Sequence, residues 1–426
     1  MLRIALSTLR FRKASFAASF LALFAGAAIV MACGGLLESG LRSSAPQAER
    51  LRILAGVFSG WTAVIVIFGV SSMIGLTVQH RHRELALLRA IGTTPRQIRR
   101  LVLGETMVLA VLATVLAYLP SRLLSRFMVQ ELAPPVPFRL GWLPGVIGAT
   151  DALLAAVGAA LIAGRRASRI PAIAVLTESD VDTRRLSRPR LAAALSLIVV
   201  GLSLGVFTMV AMDGPYAAST AGPASILVAM GLALLVPGVV RRIAFVLPEP
   251  TAQQARVQFR RMAAVTVPVV LATGIGLGTL YMQATEDSMP QVGMGETLRA
   301  GNYAVVGMIL GFAVLTIVNA LAASATRRRG EFGLVRLAGS TRSQVLRSMG
   351  VEALVVTAVG VTLGGIASLA TILPFSLART GSAFPAGSPV ILLAVIGAAA
   401  LVTVAATLVP TWRVLRKSPR DLVGRA

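Results

Sequence analysis

Residues Arg81 to Glu105 read RHRELALLRAIGTTPRQIRRLVLGE, and residues Arg328 to Glu352 read RRGEFGLVRLAGSTRSQVLRSMGVE. The two stretches align without a gap, and most of the residues that they share are charged, polar or glycine. Hydrophobic similarity alone does not produce such identities, so the chain contains an internal repeat. The identical pairs are Arg81/Arg328, Glu84/Glu331, Leu87/Leu334, Arg89/Arg336, Gly92/Gly339, Thr94/Thr341, Gln97/Gln344, Arg100/Arg347 and Glu105/Glu352.

Each copy predicts a helix, a tight turn and a second helix that runs into the next apolar segment. The first helix has an apolar face and ends at a glycine, the residue that a left-handed C′ position favours. Two residues later, Thr-x-x-Gln predicts a capping box, with Pro95 at the first helical position in one copy. The residues concerned are Leu87, Leu88, Ile91, Gly92, Thr94 and Gln97, and in the second copy Leu334, Val335, Ala338, Gly339, Thr341 and Gln344.

The composition is that of a membrane protein. Of the 426 residues, 56% are hydrophobic and 14% are charged, and the mean hydropathy is +0.80. Apolar runs of about 20 residues between short basic loops are typical of polytopic helical membrane proteins. The net charge of +24 does not indicate nucleic-acid binding, because the arginines flank apolar runs and few aromatic residues are present for base stacking.

The apolar runs predict an all-α fold with about ten transmembrane helices. The first run follows a basic N-terminus, and we expect it to stay uncleaved as a span. Most of the 41 lysines and arginines fall on one side of the spans, which predicts that both termini and both copies of the repeat are cytoplasmic. The predicted spans are residues 14–37, 53–78, 102–121, 141–164, 191–211, 223–240, 264–283, 302–324, 349–373 and 389–411.

Each copy of the repeat lies in a predicted four-span module. The predicted domains are a first module at residues 1–175, a linking segment with the fifth and sixth spans at 176–250, and a second module at 251–426. An even number of spans between the modules predicts that they are parallel, related by an axis along the membrane normal. External loops such as residues 122–140 are too short to bury a core. We therefore expect no large extracytoplasmic domain.

The sequence contains no catalytic or nucleotide-binding constellation. It lacks the phosphate-binding GxxxxGK[ST] loop, HExxH, GxSxG and aspartate-rich cation loops. The single cysteine, Cys33, excludes an intramolecular disulfide and a multi-cysteine metal site. His80 and His82 fit an interfacial basic cluster better than a metal site, which typically has three or four ligands. We expect no catalytic activity, no metal and no cofactor.

Glu84 and Glu331 carry two interpretations. Either they form local ion pairs with neighbouring arginines on an interfacial helix, or they belong, with Arg89 and Arg336, to a surface on which a partner docks twice. The duplication favours the docking interpretation.

Four other polar positions lie in or beside predicted spans. Glu105 and Glu352 come at the predicted starts of spans, where a carboxylate is favoured by the positive helix end, although they could also anchor the docking segment. Asp151 lies midway along the fourth span, where it is either a proton or cation site or a satisfied, protonated residue. Asn319 in the eighth span is expected to form an interhelical hydrogen bond.

The pattern R-x-R-E-x-x-L-L-R-A-I-G-x-T-x-x-Q-I, at the end of one transmembrane helix and leading into the next, resembles the FtsX-like permease domain of type VII ABC transporters, the MacB and LolCDE class. Residues Arg81 to Ile98 match it well. In Arg328 to Val345, Gly330 replaces a basic residue and the LRAI segment is changed. Asn319, before the second copy, also fits the family.

The resemblance implies a permease with both FtsX-like halves in one chain, in a bacterial cell membrane. In this family the cytoplasmic helix-turn seats on ABC ATP-binding subunits, so the implied partners are two ATPase subunits and the lipid bilayer, with no nucleic acid. The implied function is export or membrane extraction of a lipophilic or amphipathic peptide, drug or lipid. The resemblance leaves open whether an extracytoplasmic partner also binds.

Two other functions remain open. A proton-coupled secondary transporter would use Asp151, but this hypothesis does not explain two matching cytoplasmic helix-turns. A non-transporting signalling permease would instead pass ATP-driven motion to an external partner, as mechanotransmission.

Overall fold

The computed structural model describes residues 13–80, 82–134, 136–139, 141–167, 188–212, 217–243, 251–289 and 296–416. These residues form twelve helices joined by turns, and they include no strand. The all-α prediction is confirmed. The basic N-terminal segment, residues 176–187 of the predicted linking segment and the basic C-terminal segment from residue 417 lie outside the described residues.

Two short helices of nine residues, α3 (His82–Ala90) and α10 (Arg329–Leu337), each stand before a long one. The predicted helix, turn and second helix that continues into the next apolar segment are therefore confirmed in both copies. The first five helices are α1 (Lys13–Leu41), α2 (Ala48–His80), α3 (His82–Ala90), α4 (Pro95–Leu132) and α5 (Leu143–Ala167). The others are α6 (Arg188–Ala211), α7 (Ala217–Ile243), α8 (Thr251–Asp287), α9 (Glu296–Arg327), α10 (Arg329–Leu337), α11 (Arg342–Thr380) and α12 (Pro389–Leu415).

Within the described residues, 8 helices are long and apolar enough to cross a membrane. They are α1, α4, α5, α6, α7, α8, α11 and α12. Helices α2 and α9 occupy the second and eighth predicted spans but are not among these, and α9 contains a shorter apolar stretch, Leu310–Ala322. The protein is thus a multi-pass helical membrane protein, and the count of about ten spans stays a prediction.

Helix α4 is longer than the apolar run that predicts it. The sequence places an external loop from Arg122 onward, whereas the helix continues to Leu132. The prediction of a loop at residues 122–132 is therefore wrong. The drop in hydropathy at Arg122 marks the end of the apolar run and not the end of the helix, since hydropathy and helix formation are set by different properties of the side chains.

The first compact unit comprises residues 1–182 and 291–312. Helices α1, α2, α4 and α5 pack together in it through small residues. A Cβ atom added at Gly34 of α1 would lie 2.9 Å from the Cα atom of Pro144 in α5, so glycine is required for the two helices to approach so closely. The buried cluster beside this contact comprises Ala27, Ala28, Met31, Ala117 and Ala152.

The second compact unit comprises residues 183–290 and 313–426. Helices α8 and α11 lie so close that a Cβ atom on Gly364 would be 2.7 Å from a backbone carbonyl oxygen of α8. Helix α6 packs on α11 at Gly205, and α7 packs on α6, α8 and α11. The fifth and sixth predicted spans are thus packed helices of this unit. The predicted domain boundaries stay predictions.

Thr371 of α11 makes a polar contact with α7 in this apolar interior. Its hydroxyl donates to the carbonyl oxygen of Ala221 at 2.5 Å and accepts from the backbone N–H of Ser225 at 3.3 Å. These two backbone groups lie four residues apart and pair with each other in a regular α-helix. Pro223 lies between them. The Thr371 hydroxyl therefore ties α11 to the turn of α7 that contains this proline.

We expect Thr371→Val to lower the free energy of unfolding by about 1 to 3 kcal/mol, because it keeps the side-chain shape but removes a buried partner of two backbone groups. Thermal unfolding of the detergent-solubilised protein measures this. The control is Thr357→Val in the same helix, because the Thr357 hydroxyl bonds the Ala353 carbonyl of its own helix at 2.8 Å. Equal losses in the two variants would contradict the assignment to the α7 contact.

Candidate functional site

The turn after each short helix is built around a glycine with positive φ. Gly92 and Gly339 both have a φ of 98°, a conformation in which other residues are strained. In the second copy, Ser340 donates its N–H to the Val335 carbonyl at 3.2 Å, and Gly339 donates to the Arg336 carbonyl at 3.1 Å. These two bonds form a Schellman motif. The predicted glycine stop is confirmed in both copies.

A capping box starts each long helix. The Thr94 N–H donates to the Gln97 Oε1 at 2.7 Å, and the Gln97 N–H donates to the Thr94 Oγ1 at 3.3 Å. Thr341 and Gln344 form the same pair of bonds at 2.9 and 3.3 Å. Pro95 is the first residue of α4. Both predicted capping boxes are confirmed, so the turn has few free backbone groups and is conformationally restricted.

The inner face of α10 packs on the long helices of the second unit. Arg336 donates from Nη1 to the Leu415 carbonyl oxygen of α12 at 3.1 Å. Phe332 is buried beneath α10, and Leu85 at the equivalent position of α3 is buried as well. Apolar burial on one face therefore fixes how each short helix is rotated. The cluster around α10 comprises Phe332, Val345, Met349, Val414 and Leu415.

The outer face of each short helix is apolar yet exposed. Leu87 is 54% exposed and Ile91 78%, and in the second copy Leu334 is 60% and Leu337 55% exposed. Single exposed apolar residues are ordinary, but a patch that recurs in both copies of a repeat, beside basic side chains, indicates a binding surface. We call these residues, with the half-buried Leu88 and the exposed Val335, the paired apolar patches.

Arg328 joins the short helix to the long one through two carboxylates. Its Nε lies 3.1 Å from Glu331 Oε2 in α10, and its Nη1 lies 2.5 Å from Glu352 Oε2 in α11. The guanidinium carbon also lies 5.3 Å from the centre of the Phe332 ring. Burial alone would lower the pKa of Arg328, but the two glutamates outweigh it and raise that pKa above its ordinary value. We call these three charged residues the arginine cluster.

The helix starts and the arginine cluster change the interpretation of three acidic residues. Helix α11 begins at Arg342 and α4 at Pro95, each ten residues before Glu352 or Glu105. The account based on the positive helix end is therefore wrong for both glutamates, because that effect is confined to the first turn. Glu331 forms the local ion pair that the sequence left as one alternative.

The remaining predicted residues lie on or near the same two turns. Glu84 of α3 is half-buried. Arg89 belongs to α3, but its side chain lies outside the described ones. The side chains exposed at the turns are Thr94, Gln97, Thr341 and Gln344.

Asp151 and Asn319 lie within helices α5 and α9, and in the sequence they are distant from the turns at Gly92 and Gly339. Asp151 is the ninth residue of α5 and is 6% exposed, and its Oδ2 has no hydrogen-bond partner in the described part of the chain. Asn319 lies in α9, and its Nδ2 is likewise buried without such a partner. The interhelical hydrogen bond expected of Asn319 is therefore not made by this donor.

Sequence reasoning missed the contact from Arg328 to Glu352 and the inward anchor Phe332. One signal for the contact was present, because Arg81/Arg328 and Glu105/Glu352 are identical pairs of opposite charge. No signal for the anchor was present, because Phe332 replaces Leu85 and reads as one more apolar residue.

Together these features define a multi-pass helical membrane protein in which a short helix, a glycine turn and a long helix occur twice. The family model described as FtsX-like permease C-terminal matches residues 56–172 and 303–419. The two matches begin at 56 and 303, a separation of 247 residues that Arg81 and Arg328 share, and together they cover more than half of the chain.

The chain therefore belongs to the FtsX-like permease family and contains two FtsX-like domains. It is a membrane permease of ABC-transporter type. Permeases of this family generally work with ABC ATPase subunits and are generally not catalytic themselves. No curated protein matches the chain.

We expect Gly339→Ala to lower the free energy of unfolding by about 1 to 2 kcal/mol, because alanine is strained at positive φ. A Cβ atom there meets no atom within 4 Å, so the cost is one of backbone conformation and not of crowding. The control is Gly350→Ala, which has equal space inside α11 and should stabilise by up to about 1 kcal/mol through helix propensity. Thermal unfolding measures both, and a stabilising Gly339→Ala would contradict the argument.

Proposed function

We propose that this permease couples ATP hydrolysis by separate ATP-binding subunits to the export or membrane extraction of a lipophilic or amphipathic compound. The observation that carries the proposal is the pair of exposed apolar patches on α3 and α10. Each patch stands on a restricted turn and on a short helix with a buried anchor. Covering such a surface is favourable, since burying one large apolar side chain that was exposed contributes about 1.5 to 3 kcal/mol of hydrophobic free energy.

Two patches imply two docked ATP-binding subunits, one on each copy of the repeat. The glycine turn and capping box are the same in both copies, so both present the docking helix in the same local way. By the positive-inside rule, the basic side chains beside the patches support a cytoplasmic location for them, where ATP is available. Leu87, Leu88, Leu334 and the two turns form the proposed docking surface.

The long helices provide the path for motion. Helix α11 has 39 residues and therefore extends about 58 Å, enough to cross a bilayer with length to spare. It begins directly after the turn that follows α10. A displacement of α10 by a docked ATPase would thus be applied at the cytoplasmic end of a spanning helix, and α3 and α4 repeat the arrangement.

The external connections favour a substrate that moves in or along the bilayer. The turn between α11 and α12 occupies residues 381–388, and the segment between α1 and α2 occupies residues 42–47. Segments of this length cannot bury a core of their own. We therefore favour an amphipathic peptide, a lipophilic drug or a lipid as the transported compound.

Asp151 supports a second candidate function, proton-coupled transport. A buried carboxyl group with an unpaired oxygen inside a membrane-spanning helix is costly to ionise and is suited to exchanging a proton. The position equivalent to Asp151 in the second copy of the repeat is Ala398, so this site is not duplicated. The duplicated patches favour the ATP-driven function.

We expect the double substitution Leu87→Glu and Leu334→Glu to abolish co-purification of the ATP-binding subunits from the native membrane. Each glutamate places a charge in the apolar contact, and because both leucines are exposed the permease should remain folded. Affinity purification in detergent, followed by immunoblotting or mass spectrometry of the bound ATPase, measures the effect.

The matched control is Phe384→Glu, which also replaces an exposed apolar residue by glutamate but lies in the turn at the other end of α11. It should retain the ATPase at the wild-type level. Thermal unfolding should be the same for all three proteins. An ATPase that stays bound to the folded double variant would refute the docking surface, and a wild-type protein that binds no ATPase would refute the proposed function.

One reconstitution experiment separates the two energy sources. In vesicles that contain the permease and its ATPase, we expect ATP to drive removal of a lipophilic fluorescent dye from the bilayer, and a proton ionophore to leave this activity unchanged. Asp151→Asn should also retain it, because the driving force comes from ATP. Dye movement that needs a proton gradient, ignores ATP and is lost in Asp151→Asn would establish the second candidate instead.

A further inference from the structure

The arginine cluster lies where the short helix meets the spanning helices. Arg328 is the residue between the end of α9 and the start of α10, and its side chain is 8% exposed. One of its carboxylate partners, Glu331, is in the docking helix α10, and the other, Glu352, is in the spanning helix α11. A single buried guanidinium therefore connects α10 to α11.

We infer that Arg328 is a positioning residue that holds the docking helix α10 in a fixed place on α11, so that motion of α10 is passed on to the spanning helix. This inference rests on the proposed function. It assigns Glu331 and Glu352 to transmission, and it leaves docking of the ATPase to the exposed leucines on the other face of α10.

The geometry suits a stiff connection. The planar guanidinium offers several N–H donors in fixed directions, and here two of them point at carboxylates on different helices. Both contacts are charge-assisted, and the one to Glu352 is short and largely shielded from water, since the Glu352 side chain is 15% exposed. Sliding α10 along α11 would separate buried opposite charges, which is strongly unfavourable.

The apolar cluster does a different task from the arginine cluster. Phe332, Met349 and Val414 hold α10 on α11 and α12 by contacts without directional preference. Such contacts keep α10 attached but permit small displacements. The ion pairs are directional and fix the position of α10 along α11, so removing a charge should loosen that position without detaching α10.

The internal repeat supplies an independent argument. Arg81, Glu84 and Glu105 occupy the positions equivalent to the three residues of the arginine cluster, and all three identities are retained. On the exposed patches Leu87 and Leu334 are identical, whereas Leu88 aligns with Val335 and Ile91 with Ala338. The charged set is thus kept in full and the apolar surface only in part, as expected if transmission has stricter geometric needs than apolar docking.

The test separates docking from transmission. The single cysteine, Cys33, is buried and is replaced by serine so that labelling is specific. In this Cys33→Ser background, spin labels are attached at Val210→Cys, near the end of α6, and at Ser382→Cys, in the turn after α11. Double electron–electron resonance then measures the distance between the labels in the complex with its ATPase, before and after trapping with ATP and vanadate. Both labelled positions belong to the second unit.

We expect Arg328→Gln to retain the ATPase at the wild-type level while the ATP-induced change in the label distance is lost. Arg328→Lys keeps the charge but cannot reach both carboxylates in the same way, so part of the change should return. The matched control is Arg241→Gln, which removes an exposed arginine in the last turn of α7, outside the cluster and the two turns, and should change neither measurement.

Glu352→Gln provides a second test if Arg328→Gln does not fold, because it breaks the same contact from the α11 side and should give the same separation of effects. An unchanged ATP-induced distance shift in a folded variant of either residue would overturn the inference. A loss of ATPase binding in these variants would also overturn it, since the cluster would then belong to the docking surface. Failure of the wild-type protein to bind an ATPase would instead refute the proposed function, and with it this inference.

Discussion

The structure depends on one constraint, that a backbone in an apolar setting must find partners for its N–H and C=O groups within the protein. Long helices satisfy it by themselves, and most buried hydroxyls return to a carbonyl of their own helix, as Thr357 does. Where the helical path is broken, other groups take over. The capping boxes at Thr94 and Thr341 and the Schellman bonds at Gly339 satisfy the exposed ends at the two turns. The breaks in the helices are therefore as well defined as the helices themselves.

The same constraint explains which features could be predicted from the sequence. The glycine stop and the capping box depend on residues three to six positions apart, so both copies of the turn were predicted correctly, with Gly92 and Gly339 at positive φ. The end of α4 at Leu132 was not predicted, because the length of an apolar run indicates which residues suit the membrane and not where the helix ends. The contact from Arg328 to Glu352 joins residues 24 positions apart across a turn, and only the folded chain brings them together.

The repeat shows which features the two domains share and which differ between them. Both domains retain the turn, a buried apolar residue in the short helix and the residue types of the arginine cluster. They differ at some exposed positions, such as Ile91 and Ala338, and within the spans, where Asp151 in one copy aligns with Ala398 in the other. The second unit also includes α6 and α7, and α7 is tied to α11 through Thr371. Duplication has thus kept the short helix and its turn and changed the helices around them, which favours equivalent docking on two transmembrane units of different composition.

The short helix α10 divides two tasks between its faces. With 3.6 residues per turn, Phe332 points inward while Leu334 and Leu337 remain exposed, so one nine-residue helix has an inner face that is packed and an outer face that is free for the proposed docking. A helix of this length is marginal alone and takes its stability from packing. Its outer face therefore holds its shape only as firmly as the inner face is fixed. In the proposed function, docking and transmission are coupled for that reason, and the buried contact from Arg328 to Glu352 sets how much of an applied displacement reaches α11.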